Sequence, residues 1–184
     1  MVEQTPTRIR AEAYFQLPEY AQHDLIQLID GEVVIGMPPI PRHQAIVREI
    51  LVLFALRARQ TGGTAYSSPI EVYLDEHNVF EPDVLYLTPD SACQIGEKRL
   101  TGAPNLIVEV LSPSTTKYDR EKKYHAYQRH GVDEYWIVDP ANEAIEVYTL
   151  DADGAFVRQG VFIPGDSFDS RTLGESVAVK TIFA

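Results

Sequence analysis

The stretch from residue 106 to residue 138 constrains this chain most. Leu106–Leu111 is a nearly unbroken apolar run, residues 118–130 carry helical periodicity, and Tyr135–Val138 is a second apolar run. A continuous apolar strand is covered on both faces. A strand, a helix and a strand in such quick succession form a βαβ crossover, which places its two strands parallel. The segments on either side read as hairpins, so the sheet must be mixed and the class is α/β. At 184 residues and 45% hydrophobic, the chain has the length of one domain. It can bury roughly two-thirds of its unfolded surface. The expectation is a single domain over residues 1–184, with 1–17 loosely ordered.

The flanks fill in the architecture. Pro18 starts a short helix running toward Asp24, Asp30-Gly31 marks a turn, and Glu32–Ile35 is a strand. After the breaker-rich residues 37–41, a helix spans 43–60 with Ile46, Ile50, Leu53, Phe54 and Arg57 near one stripe, and Thr61-Gly62-Gly63 stops it. Ile70–Leu74 and Val79–Leu87 read as a hairpin about Asp75–Asn78. Pro82 places the second strand at an edge or a bulge. The helix at 118–130 is bounded by Ser114-Thr115-Thr116 and Gly131. Ile145–Leu150 and Phe156–Phe162 form a hairpin across residues 151–154. The expected fold is a mixed β-sheet flanked by helices, one on each face, with extra β-hairpins at the N- and C-terminal ends.

Three residues do not belong in a plain core. Glu109 interrupts the covered strand, which is expensive unless the carboxylate is paired, faces water or holds a metal. Asp83 follows Pro82, where a turn-favouring Pro-Asp pair is the ordinary explanation. Together, though, the two acids can converge as the hard-oxygen pair that Mg²⁺ prefers. Asp119, Lys123 and Tyr127 stand at i, i+4 and i+8 on one helix face. That spacing fits either an exposed Asp119–Lys123 ion pair or an ammonium brought beside the carboxylates. Lys122 points about 100° away, toward solvent or phosphate. His43-Gln44 opens the first long helix, where the histidine suits a base, a substrate contact or a cap. The remaining histidines and the lone Cys93 lack metal-ligand spacing, so no zinc site is expected.

The net charge of −11 argues against a protein that coats nucleic acid. Two segments run the other way. Residues 41–60 set four arginines against Glu49, and residues 112–132 set five cations against Asp119 and Glu121, each netting +3. They are either solvated helix faces or a local phosphate-binding surface. No apolar run reaches the length of a membrane span, and one cysteine rules out a disulfide framework. A cytoplasmic, non-membrane protein is the expectation.

At these residues the sequence resembles the PD-(D/E)XK nuclease superfamily with its restriction-endonuclease-like core. More closely it is similar to the Uma-two family, formerly a domain of unknown function. The matching stretches are LIDGEVV, RHQAIV, SPIEVYLDEHNVFEPDVLYL, GAPNLIVEVLSPSTTKYDREKKYHAY and GVDEYWIVDPANEAIEVYTL. The resemblance implies an endonuclease that hydrolyses DNA phosphodiesters with Mg²⁺, for which Mn²⁺ can substitute. It implies Asp83 as the Asp of the first motif and Glu109 as the acid of the second. Leu111 stands where that motif has lysine. Lys123 is the candidate for a migrated cation, supported by Tyr127, with Lys122 in reserve. The metal would be held by Asp83, Glu109 and the Val110 backbone carbonyl, with Glu32 as a further acid and Glu49 its rival. His43 and Gln44 would support the site or contact substrate. Cutting two strands favours a homodimer. The competing readings are a catalytically silent module on the same fold and a metal-dependent hydrolase of a smaller phosphoester.

Overall fold

The computed structural model describes residues 8–113 and 115–184. In chain order the strands are β1 (Ile26–Ile29), β2 (Glu32–Ile35), β3 (Thr64–Ser67), β4 (Val72–Asp75), β5 (Asn78–Phe80), β6 (Val84–Leu87) and β7 (Gln94–Ile95). They continue with β8 (Leu100–Thr101), β9 (Leu106–Val110), β10 (Glu134–Asp139), β11 (Ala144–Leu150), β12 (Phe156–Phe162), β13 (Ser167–Ser170) and β14 (Glu175–Ala178). The central sheet runs β12-β11-β10-β9-β6-β3. A second sheet runs β2-β1-β5-β4-β8-β7, and β13 pairs with β14 alone. The crossover expected around residue 120 is present: β9 and β10 are parallel, with Trp136 opposite Val108. The other central pairings are antiparallel.

One helix covers each face of the central sheet. The α1 helix is a single turn, Ala11–Tyr14, and α2 spans Pro41–Thr61. Proline at the first position of α2 loses no helical hydrogen bond, and Gly62 ends it in the left-handed conformation at φ 83°. Ile46, Ile50 and Phe54 of α2 pack against Val84, Tyr86, Val108, Val110, Trp136 and Val138. The alternate residues Leu85, Ile107, Tyr135 and Ile137 face the other way, onto Ala126 and Tyr127 of α3 (Tyr124–His130). Strand alternation therefore puts Glu109, two residues past Ile107, on the α3 side.

Several expectations need correcting. Val79–Leu87 is two strands in two sheets, because the chain leaves the second sheet after Phe80 and enters the central one at Val84. Pro82 sits in the passage between them, so β6 is interior and not an edge strand. The helix over 118–130 is not uniform: Tyr118–Lys123 is a π-helical turn that runs into α3. Its expected cap at Ser114 lies outside the described residues, as do residues 1–7 of the start expected to be loose. Residues 8–17 are tied down. Tyr14 is fully buried and donates its hydroxyl to the Ile26 carbonyl at 2.7 Å, and the Arg99 guanidinium lies 3.6 Å from the centre of the Phe15 ring.

The C-terminal hairpin pairs as expected but slips register. Tyr148 lies opposite Arg158 and Val147 opposite Gly160, which leaves Gln159 as an extra residue bulging from β12. Glu134 opens β10 at 0% exposure. Its carboxylate accepts from the Trp136 indole at 2.7 Å, the Thr172 backbone at 2.8 Å and the Ser170 hydroxyl at 3.1 Å. This clamp ties the central sheet to the segment after β13. Glu134→Ala should lower unfolding free energy by about 2–4 kcal/mol, since it orphans several buried donors at once. Urea denaturation checks this, and a loss under 1 kcal/mol would show the clamp to be dispensable.

Candidate active site

The register of the central sheet assembles the site. In the antiparallel β6–β9 ladder Val84 lies opposite Val108. One step further along, Asp83 falls across from Glu109. Asp83 stands just before the strand, where Pro82 ends regular pairing, and its carboxylate takes over as acceptor: the Val110 N–H donates to Asp83 Oδ2 at 2.7 Å. Two acids separated by 25 residues are thus brought together by strand pairing alone.

The neighbouring elements supply the remaining contacts. His43 Nε2, on the first turn of α2, lies 3.0 Å from the Val110 carbonyl and 3.4 Å from Asp83 Oδ2. A carbonyl can only accept, so this nitrogen carries the proton. From the opposite side Lys123 Nζ reaches Glu109 Oε1 at 2.9 Å and Asp119 Oδ1 at 3.3 Å. The Tyr127 hydroxyl donates to the same Glu109 oxygen at 2.6 Å. The π-helical turn places Asp119 and Lys123 in the interior, each at most 2% exposed. The alternative of an exposed i, i+4 ion pair is therefore wrong.

Asp83, Glu109, Val110, Lys123, His43 and the exposed Gln44 all line one cavity of about 990 Å³. Leu111, in the lysine position of the motif, forms part of its wall. The ammonium beside Glu109 is that of Lys123. Two expected participants are elsewhere. Glu32 is bound at the surface by Lys122 at 2.6 Å and by the Tyr118 hydroxyl at 3.3 Å, which holds its carboxyl below the usual value. Neither Glu32 nor Lys122 lines the cavity. Glu49, the rival acid, pairs with its neighbour Arg48. Within the basic segments Arg42, Arg48, Arg120 and Lys122 each have an acidic partner at 2.6 Å, whereas Arg57, Arg59, Lys117 and Arg129 have none among the described residues.

Sequence reasoning passed over two acids. Asp119 enters the sequence expectations only as an ion-pair partner, and Glu81 not at all. Glu81 lines the cavity, and its Oε2 is buried without a hydrogen-bond partner. The signal was available, since Glu81 follows the buried Val79-Phe80 and precedes a proline.

Burial sets the electrostatics. It raises Glu109 to about 8, an effect that the Lys123 ammonium opposes without cancelling. It also raises Asp119, and it raises Glu81 to about 8 with help from the charge of Glu71. Burial works against the Lys123 ammonium, but Glu109 and Asp119 outweigh it and keep the group charged. Desolvation likewise disfavours the His43 imidazolium, yet Asp83 and the Val110 carbonyl hold its pKa above the usual histidine value.

The donor set fits one divalent cation. Among the described residues no group of three or more His, Cys, Asp or Glu side chains gathers into a metal cluster. Mg²⁺ does not require one, because it is commonly held by one or two carboxylates, with water and substrate phosphate completing the octahedron. Glu109 and Asp119 share a single ammonium and Asp83 adds a third carboxyl, a crowd of carboxyl groups whose ionised form a bound cation would favour.

Comparison with known proteins places this chain among relatives. Residues 11–180 match the Uma2 family, described as "Putative restriction endonuclease". Two uncharacterized proteins of Synechocystis are similar. The slr1290 protein is 26% identical over 96% of this chain and 92% of its own length. The sll1609 protein is 24% identical over 80% and 84%. A crystal structure from Anabaena variabilis, of a "putative nuclease belonging to DUF820", superposes with a TM-score of 0.77 at 19% identity. That match covers 95% of this chain and 97% of the other. It shows that the two share a fold. Among the described residues, no helix is long and apolar enough to cross a membrane.

The buried acids should make stability fall as pH rises from about 4.5 to about 8. Over that window folded Glu109 and Glu81 keep protons that the unfolded chain has released. The native state therefore binds more protons, and their contribution is complete only below the window. Raised Asp119 and His43 act in the same direction. The urea midpoint should be lower at pH 8 than at pH 5.5, and Glu81→Gln should flatten the slope. A midpoint that climbs over this range would contradict the assignment.

Proposed function

The chain belongs to the Uma2 family, and from its site we infer that it is a Mg²⁺-dependent endonuclease acting on DNA phosphodiesters. The observation that carries this reading is the convergence of Asp83 and Glu109 in one cavity with the Lys123 ammonium 2.9 Å from Glu109. Two acids and one cation are what the PD-(D/E)XK pattern calls for, and this grouping supports the reading although Leu111 occupies the usual lysine position.

Asp83, Glu109 and the Val110 carbonyl are the groups that would hold the ion. Bound there, Mg²⁺ supplies Lewis-acid polarisation of the phosphate and a water of lowered pKa. The chain's own residues prepare that arrangement. The Val110 N–H and His43 fix Asp83, and His43 also orients the Val110 carbonyl by holding it at 3.0 Å. Tyr127 and Lys123 fix Glu109 from the α3 side. The Lys123 ammonium, with almost no contact with water, is placed to balance negative charge that develops on the phosphate.

Nicking of circular DNA tests the reading, because circles have no ends for an exonuclease. Supercoiled plasmid and circular single-stranded DNA should be opened with Mg²⁺ or Mn²⁺ and left intact in EDTA. Asp83→Asn and Glu109→Gln should each reduce the rate by about a hundredfold or more, as for loss of a principal transition-state contact. Wild type and variants nicking equally would mean contamination and would defeat the assignment. Lys123→Met should also abolish cutting, and it should cost about 3–5 kcal/mol of stability by leaving buried carboxylates without a counter-charge. The double variant Lys123→Met, Glu109→Gln should recover part of that stability and none of the activity.

A further inference from the structure

The walls of the cavity differ in character from its floor. At the floor, the Glu109 and Lys123 side chains are 4% and 2% exposed, so a reacting phosphate has to enter the cavity to reach them. At the rim, the segment between β2 and α2 presents Met37 and Ile40, 72% and 64% exposed, on either side of Pro38-Pro39. Pro69 lies on another part of the lining. Single exposed apolar residues are ordinary, but a proline-stiffened apolar lip beside buried charges is a contact surface. The rim's cations do not compete for the role of binding a polyanion: Arg42 and Arg120 are each engaged by a glutamate at 2.6 Å. Duplex DNA held by its outer phosphates needs a track of uncompensated cations. The cavity offers apolar surface and a volume at the upper end of the roughly 300–1,000 Å³ that encloses small ligands.

We propose that this site takes an unpaired strand, with one unstacked nucleotide inside the cavity and its base against the lip formed by Met37, Pro38, Pro39 and Ile40. The proposal rests on the nuclease reading and names the substrate class for it. A base has an apolar face regardless of sequence, so an apolar wall favours exposed bases without selecting among them. A paired base would first have to be unstacked and unpaired, and that cost is smallest where the strand is already single or mismatched. Glu81, with its buried and unpartnered Oε2 in the same lining, is placed to meet a polar edge of the inserted base.

Binding separates this proposal from catalysis. A fluorescent 12-nucleotide single strand and the same sequence as a blunt duplex are titrated with the full chain in Ca²⁺, and cleavage of both is followed separately in Mg²⁺. The single strand should bind about tenfold more tightly than the duplex and be cut correspondingly faster. Met37→Ser and Ile40→Ser should weaken single-strand binding roughly three- to tenfold by removing apolar contact. They should raise KM while leaving kcat in place. Thermal stability should hold, since both residues are exposed and serine is a good N-cap at position 40. Equal affinity for duplex and single strand, or lip variants that bind like wild type, would overturn the proposal. Strand-selective, lip-dependent binding with no cleavage of any DNA would uphold it and overturn the nuclease reading instead.

Discussion

The contact between Lys123 and Glu109 governs the arrangement around it. Neither charge could occupy the interior alone, because desolvation would drive each toward its neutral form. At 2.9 Å, with Tyr127 on the same oxygen and Asp119 on the same ammonium, the pair is supported well enough to stay. The balance is incomplete. More carboxyl groups than cations occupy this part of the core, and burial pushes Glu109 and Asp119 upward accordingly. A carboxyl group in this condition holds its proton to higher pH than usual.

The position of that contact follows from the sheet. Alternation along β9 sends Val108 and Val110 to α2 and Ile107 and Glu109 to α3. The β6–β9 register delivers Asp83 to the same end of the strand. The βαβ crossover then returns the chain over that face, so Lys123 and Tyr127 come down on Glu109. Only His43 arrives from a distant part of the sequence, and it binds backbone and side chain together at the point where β6 stops pairing. A one-residue slip in β9 would turn Glu109 toward α2 and dismantle the whole set.

Much of this was legible in the residues. An acid inside an apolar strand demands a partner, and helical spacing named Lys123 and Tyr127 as the side chains able to supply one. The crossover fixed the class and the parallel pair. What escaped was set by tertiary context. The Val79–Leu87 run looked continuous because both halves are apolar, yet they belong to different sheets, and only the pairing partners decide that. The π-helical turn leaves no mark in the hydrophobic pattern, since Asp119 and Lys123, four residues apart, read from the sequence as one face of an ordinary helix. Glu32 is the further acid that the resemblance implies, but nothing local reveals that Lys122 reaches it from 90 residues away. Nor does anything local in the two positive segments reveal that Arg42, Arg120 and Lys122 are engaged by glutamates distant in sequence.

The extra residue in β12 bears on how the molecule behaves among copies of itself. An outer strand with a regular ladder is a template onto which another chain can add, and repeated addition builds fibres. Here a strand approaching β12 would find its donors and acceptors out of step at Gln159, where the bulge breaks the repeat. The opposite margin, β3, is only four residues long. Both ends of the central sheet are thus poor starting points for strand addition, a safeguard in a protein whose inner strands are apolar and prone to stick.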